Sequence, residues 1–324
     1  MPSHAGGLSR GAGGREGDVT AILVIKLGAL GDFVQATGPF AAIRAHHPAA
    51  RIVLLTAKPF AALARQAPWF NEVWIDAKPR LLNAGGMLAL RTRLKSGGFS
   101  RVYDLQTSDR SSWYFHLLRP HPPEWSGIAL GCSHPHANPR RDSMHTLERQ
   151  ADQLRLAGIE AVPPPDLSWA VSDTGRFNLP ARFALLAAGG AKHRPAKRWP
   201  AERFALLANH LAAKGVTPVL LGTQEDDEAI RPVQAACPAA IDLSGQTSFA
   251  DIATLARSAE VCIGNDTGPM HLAAPGGRPC LVLFSHESDP ALCAPRGKNV
   301  TVLRRPSLAQ LAVEDVEEAL RLRA

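Results

Sequence analysis

Four stretches of this 324-residue chain set glycines beside carboxylate or cationic residues. The most distinctive is Gly264-Asn265-Asp266-Thr267-Gly268-Pro269-Met270-His271-Leu272-Ala273-Ala274, set between an apolar run and a short helix. Thr267 and Gly268 can offer a hydroxyl and backbone N–H groups to a diphosphate, and Asp266 can hold sugar hydroxyls. His271 is open between a ligand contact and a satisfied structural histidine, whereas Met270 and Leu272 read as core. The second stretch runs from Ala188 to Pro200: Gly189-Gly190 after a strand, then Lys192, Arg194, Lys197 and Arg198 ahead of a helix start. Flexible backbone and cations before a helix N-terminus suit an anionic phosphate, against the plainer reading of a solvated basic loop.

The third stretch, Gly28-Ala29-Leu30-Gly31-Asp32, ends the first apolar run and opens the first helix. Gly28 and Gly31 let backbone approach a ligand, and Asp32 sits where the helix dipole favours a carboxylate. Taken alone, the stretch reads first as an N-cap aspartate on a tight turn. In the fourth, Gly222-Thr223-Gln224-Glu225-Asp226-Asp227-Glu228, the acids complement a helix start, and one of them could hold ribose hydroxyls. Dinucleotide, Walker and Gly-x-Ser-x-Gly patterns are absent, which disfavours a dehydrogenase, a P-loop NTPase and a serine hydrolase. His121, His134, His136 and His145 lack the spacing of a metal ligand set, so no metal is expected.

These loops need a scaffold that aims them at one place. Apolar runs at 19–27, 51–56, 72–76 and 101–105 read as buried parallel strands with helical stretches between them. The first helix carries Phe33, Ala36, Phe40 and Ile43 and should kink at Gly38-Pro39. Residues 119–142 read as a long loop around one short strand, and Ala161-Val162-Pro163-Pro164-Pro165 as a stiff linker. The pattern then restarts, with strands near 182–188, 217–221, 261–264, 280–284 and 300–303 and a closing helix over 308–322. The expected fold is α/β, two Rossmann-like doubly wound parallel sheets facing across a cleft. Its units are a disordered extension at 1–18, an N-terminal domain at 19–170 and a C-terminal domain at 171–324. Ligands in such sheets sit beyond the carboxyl ends of the strands, where all four stretches fall.

Composition bounds the reading. Apolar residues make up 45% and charged residues 20%, enough for two packed cores and unlike a disordered chain. Five widely spaced cysteines contain no Cys-x-x-Cys pair, which suits a reducing, cytoplasmic setting. No apolar run reaches the roughly 18 residues of a membrane span. The net charge of +7 comes from dispersed Lys and Arg and does not point to nucleic acid.

With these residues in view, three segments resemble one family. VIKLGALGDFVQAT, AAGGAKHRPAKRWP and CIGNDTGPMHLAA are similar, in order, to motifs of glycosyltransferase family 9, the ADP-heptose:lipopolysaccharide heptosyltransferases. The resemblance implies the GT-B fold and an inverting, metal-independent transfer without a cofactor. The donor would be a nucleotide-sugar, ADP-heptose, and the acceptor a lipopolysaccharide core on lipid A, reached peripherally at the anionic inner-membrane surface. It implies Asp32 as general base and Lys197, with Lys192, at the departing diphosphate. Asp266, Thr267, Gly268 and His271 would contact the donor, and Glu225 or Asp226 its ribose. Ser285 stands where the family often has glycine, and Pro275 should end its helix early. The competing readings are a nucleotide-sugar epimerase of the same fold and a catalytically silent sugar-nucleotide-binding module.

Overall fold

The computed structural model describes residues 20–80, 82–191 and 193–321; Lys192 and the proposed 1–18 extension lie outside them. Ala21–Ile25 forms β1, every residue buried, because a parallel strand covered on both faces has no polar side to offer. Around it lie β2 (Arg51–Thr56), β3 (Glu72–Ile75), β4 (Arg101–Asp104), β5 (Glu124–Gly127) and β6 (His134–Pro135) in the order β3-β2-β1-β4-β5-β6. The second sheet holds β7 (Phe183–Ala187), β8 (Thr217–Leu220), β9 (Ile241–Asp242), β10 (Val261–Asn265), β11 (Cys280–Phe284) and β12 (Val300–Arg304). Its order is β12-β11-β10-β7-β8-β9, so both sheets repeat one doubly wound topology and all their pairings are parallel.

Alternation sends successive side chains to opposite faces. Ile22 and Val24 enter one apolar cluster, and Leu23 and Ile25 a second that packs under Leu90, Leu94, Tyr114 and Phe115. The first cluster continues through Phe33 and Phe60 to Leu185, Phe249 and Val282 of the other half, so a single core runs between the sheets. Phe60 stacks on Phe33 at 5.4 Å and on Phe249 at 6.0 Å between ring centroids.

Several elements differ from the sequence reading. The first helix breaks at Ala36, into Leu30–Gln35 and Thr37–His46, ahead of the expected Gly38-Pro39 kink. Pro39 has no N–H for the carbonyl of Gln35, so the earlier helix must stop there. The two-residue strands β6 and β9 carry too little pattern to be read. The closing helix begins at Val313, after a separate turn at Leu308–Gln310. Pro275 does end its helix: Gly268–Ala273 passes into a tighter turn at Ala274–Gly276. Among the described residues no helix is long and apolar enough to cross a membrane.

Candidate active site

The carboxyl ends of both sheets open onto one cleft of about 590 Å³. Gly31 from the first half and Lys197, Glu225, Asp226, Asp266, Thr267 and Gly268 from the second line it together. Gly28, in a left-handed backbone conformation (φ +127°), lines an adjoining cavity of about 430 Å³ with Lys78, Gln106 and Arg110. A Cβ at Gly28 would also stand 2.8 Å from the Phe60 ring, so two constraints select glycine there.

Asn265, wholly buried at the end of β10, ties together the loops on the second half's side of the cleft. Its amide nitrogen donates to the carbonyls of Ala188 and Gly189 at 2.8 and 3.1 Å, and its oxygen accepts from Trp199 N at 2.9 Å. One side chain thereby fixes both ends of the glycine-rich loop, with the Trp199 indole anchored on the Leu311 carbonyl at 2.9 Å. Lys197, on the short turn Pro195–Lys197, donates to Asp266 Oδ2 at 2.7 Å. Both side chains are largely shielded, at 13% and 8% exposure, so the cation is held at the cleft rather than dispersed in solvent. Ser288 Oγ donates to the same carboxylate oxygen at 2.7 Å.

The two acids at the start of the following helix have different work. Asp226 accepts from Gly190 N at 3.1 Å, Thr223 N at 2.9 Å and Thr223 Oγ1 at 2.8 Å, which ties the glycine loop to the β8 exit. Glu225 is exposed on the cleft wall, and its carboxylate makes no hydrogen bond among the described residues.

Asp32 lies in the first turn of Leu30–Gln35, and its carboxylate accepts from Ala29 N at 3.2 Å. The helix meets Gly268–Ala273 of the other half so closely that a Cβ on Gly31 would stand 2.7 Å from the His271 ring. His271 is buried behind the cleft lining, and burial pushes its pKa down to about 4 against the partial pull of Asp266 and Asp32. It is a neutral imidazole at pH 7. Burial also lowers the pKa of Lys26, against the pull of Asp32, and its ammonium donates to the Leu105 carbonyl at 3.0 Å.

The histidine-rich segment is spent elsewhere: His136 bonds Asp152 at 3.0 Å and His145 the Ala294 carbonyl at 3.0 Å. Ser285 is buried, and its hydroxyl accepts from Glu287 N at 3.2 Å, closing a local turn. The sequence reading missed Asn265, Ser288 and the Phe249 and Ile252 wall of the cleft. An aromatic at the first position of a helix was the available sign for Phe249. On the outer surface of the first half, Arg91 bonds the Leu117 carbonyl at 2.8 Å and Arg93 covers the Trp74 ring at 4.8 Å.

Two doubly wound sheets with a phosphate-suited loop, a shielded lysine and an acid-bearing helix start on opposite walls of one cleft define a glycosyltransferase of the GT-B type. The pattern of glycosyltransferase family 9 (heptosyltransferase) matches residues 87–320, and the chain belongs to that family. It is 26% identical to lipopolysaccharide heptosyltransferase 2 of Escherichia coli K12 over 313 residues, 87% of each chain. Among solved structures, the family 9 glycosyl transferase of Veillonella parvula superposes with a TM-score of 0.83 at 21% identity, over 94% of this chain and 97% of that one. The E. coli ADP-heptose LPS heptosyltransferase II gives 0.77 at 24% identity, over 94% and 98%. Membership of a transferase family sets aside the epimerase and the silent binding module.

Proposed function

We propose that this protein transfers a heptose from ADP-heptose to a lipopolysaccharide core acceptor, with inversion and without a metal. The observation that carries the reading is the Lys197–Asp266 pair at the mouth of the glycine-rich loop. A diphosphate entering there meets a Lys197 that Asp266 Oδ2 keeps in place, while Asp266 Oδ1 is left to the sugar hydroxyls. Thr267 and Gly268 supply backbone N–H groups to the same phosphates. Since Asp226 is committed to the loop, Glu225 is the acid for the ribose. Asp32, on the opposite wall, takes the proton of the acceptor hydroxyl as it attacks the anomeric carbon, and the C–O bond to the diphosphate breaks as the new one forms. Residues 19–170 serve as the acceptor-side unit and 171–324 as the donor-side unit, working peripherally at the cytoplasmic, anionic face of the inner membrane. Support comes from the relatives named above and from the cleft shared by both halves.

Equilibrium binding tests the donor side. ADP-heptose should bind and raise the unfolding temperature, Glu225→Ala should weaken that binding about tenfold, and EDTA should leave it unchanged. Equal affinity for an unrelated nucleotide-sugar, or none for ADP-heptose, contradicts the donor assignment.

A further inference from the structure

Residues 288–296 leave the donor-side half after β11 and lie against the other half. At the near end Ser288 holds Asp266 Oδ2, the oxygen that also accepts from Lys197. Asp289 caps the short helix Pro290–Cys293, accepting from Ala291 N at 3.1 Å. At the far end the carbonyls of Cys293 and Ala294 accept from Gln35 Nε2 at 3.2 and 3.4 Å. The Leu292 carbonyl accepts from Thr146 Oγ1 at 3.3 Å, and Arg296 pairs with Glu148 at 2.8 Å.

Gln35 is the informative member. It is 2% exposed, and it sits one turn beyond Asp32 on the same helix. A buried amide costs free energy unless its donors are used, and here both contacts cross to the other half. The helix that presents Asp32 is thus tied, through seven residues of chain, to the carboxylate that holds Lys197.

We propose that Gln35 and Ser288 are positioning residues, which fix the spacing between the base helix and the leaving-group lysine through this strap. The inference rests on the roles proposed above for Asp32 and Lys197. Attack and departure occur on opposite sides of one anomeric carbon, so base and cation must keep a set separation while both partners are bound. A 1 Å misplacement can cost on the order of 100-fold in rate. Donor contacts lie on one half, so loosening the strap lowers kcat and leaves donor KM nearly alone.

Steady-state kinetics on Gln35→Met, Ser288→Ala, Ser288→Thr and the Gln35→Met/Ser288→Ala pair test this. Each of Gln35→Met and Ser288→Ala should lose about tenfold in kcat with donor KM changed less than about threefold, and Ser288→Thr, which keeps the hydroxyl, should restore the rate. Because both break one strap, the double variant should lose about 10- to 20-fold rather than the roughly 100-fold of independent sites. Multiplicative losses, a loss confined to KM, or wild-type kcat in both variants overturns the proposal. If Gln35→Met does not fold, Ser288→Ala and its threonine rescue decide alone. Asp32→Asn run alongside separates the two levels: full turnover there removes the underlying reading. A dead Asp32→Asn with unimpaired strap variants removes only this inference.

Discussion

Adding one methyl group to Gly31 probes how closely the two helix starts are meant to approach. The new Cβ would stand 2.7, 2.8 and 3.0 Å from His271 Cδ2, Nε2 and Cγ. Carbon contacts are comfortable at about 3.5–4.0 Å, so something must move by about 0.7–1 Å. The ring is 8% exposed and sits on a helix flanked by buried Met270 and Leu272, which leaves it nowhere to swing. Overpacking of this kind costs about 1–3 kcal/mol. The control is Gly268→Ala, whose Cβ would meet Leu30 Cδ2 at 2.6 Å. Leu30 is only partly buried and its tip can rotate away, and the remaining contact of 3.1 Å to its Cβ asks for a shift of a few tenths of an ångström, so that substitution should cost less than Gly31→Ala. Urea unfolding of Gly31→Ala, Gly268→Ala and Gly31→Ala combined with His271→Ala provides the comparison. The combined variant should be more stable than the sum of its parts by more than about 1 kcal/mol, since the clash is gone. Equal costs at the two glycines, or strict additivity with His271→Ala, would refute the steric argument.

Three further outcomes are expected. Lys197→Ala should lower kcat by about 10²–10³-fold, the size of one lost transition-state donor, while wild-type activity survives EDTA; a strict requirement for added Mg²⁺ or Mn²⁺ would sink this scheme. His271 has a folded-state pKa of about 4, below the ordinary 6.5, so its contribution to stability is present at pH 7 and is lost as pH falls through that window. Between pH 7 and 5 the loss amounts to about 2 kcal/mol. Asp104, which burial pushes up to about 6, works in the opposite direction over the same range. The readout is therefore the difference between wild type and His271→Gln, and parallel pH profiles would contradict it. Finally, the dispersed cations of the first half, Arg91, Arg93 and Lys95 on one helix with Arg110, Arg119, Arg140 and Arg141 in or near its loops, should give co-sedimentation with anionic vesicles that high salt abolishes, at about 1 kcal/mol per nearby cation. Salt-insensitive binding, or none at low salt, would count against that association.

The architecture was legible because buried parallel strands write themselves as apolar runs: Arg51–Thr56 and Cys280–Phe284 match the structure residue for residue. Loops after strands pointed to the cleft, and Gly31, Lys197, Glu225, Asp226, Asp266, Thr267 and Gly268 line it, whereas Gly28 lines the adjoining cavity and Asp32 and His271 are not in the lining. What stayed hidden was long-range. Asn265 reads as one polar residue in a polar loop until Ala188 and Trp199 are seen around it, and the separate duties of Glu225 and Asp226 depend on Gly190, 36 residues from Asp226. Gln35 drew no reading from the sequence, since its partners lie 258 and 259 positions away.

Turnover by Asp32→Asn, with ADP-heptose and a heptose-deficient lipopolysaccharide core as substrates, bears most directly on the proposed reaction. The substitution keeps the side chain's shape and removes its basicity. With the donor site on the opposite wall untouched, kcat should fall by about 10²–10⁴-fold while donor affinity stays near wild type. A folded Asp32→Asn protein that transfers heptose at the wild-type rate would contradict the account.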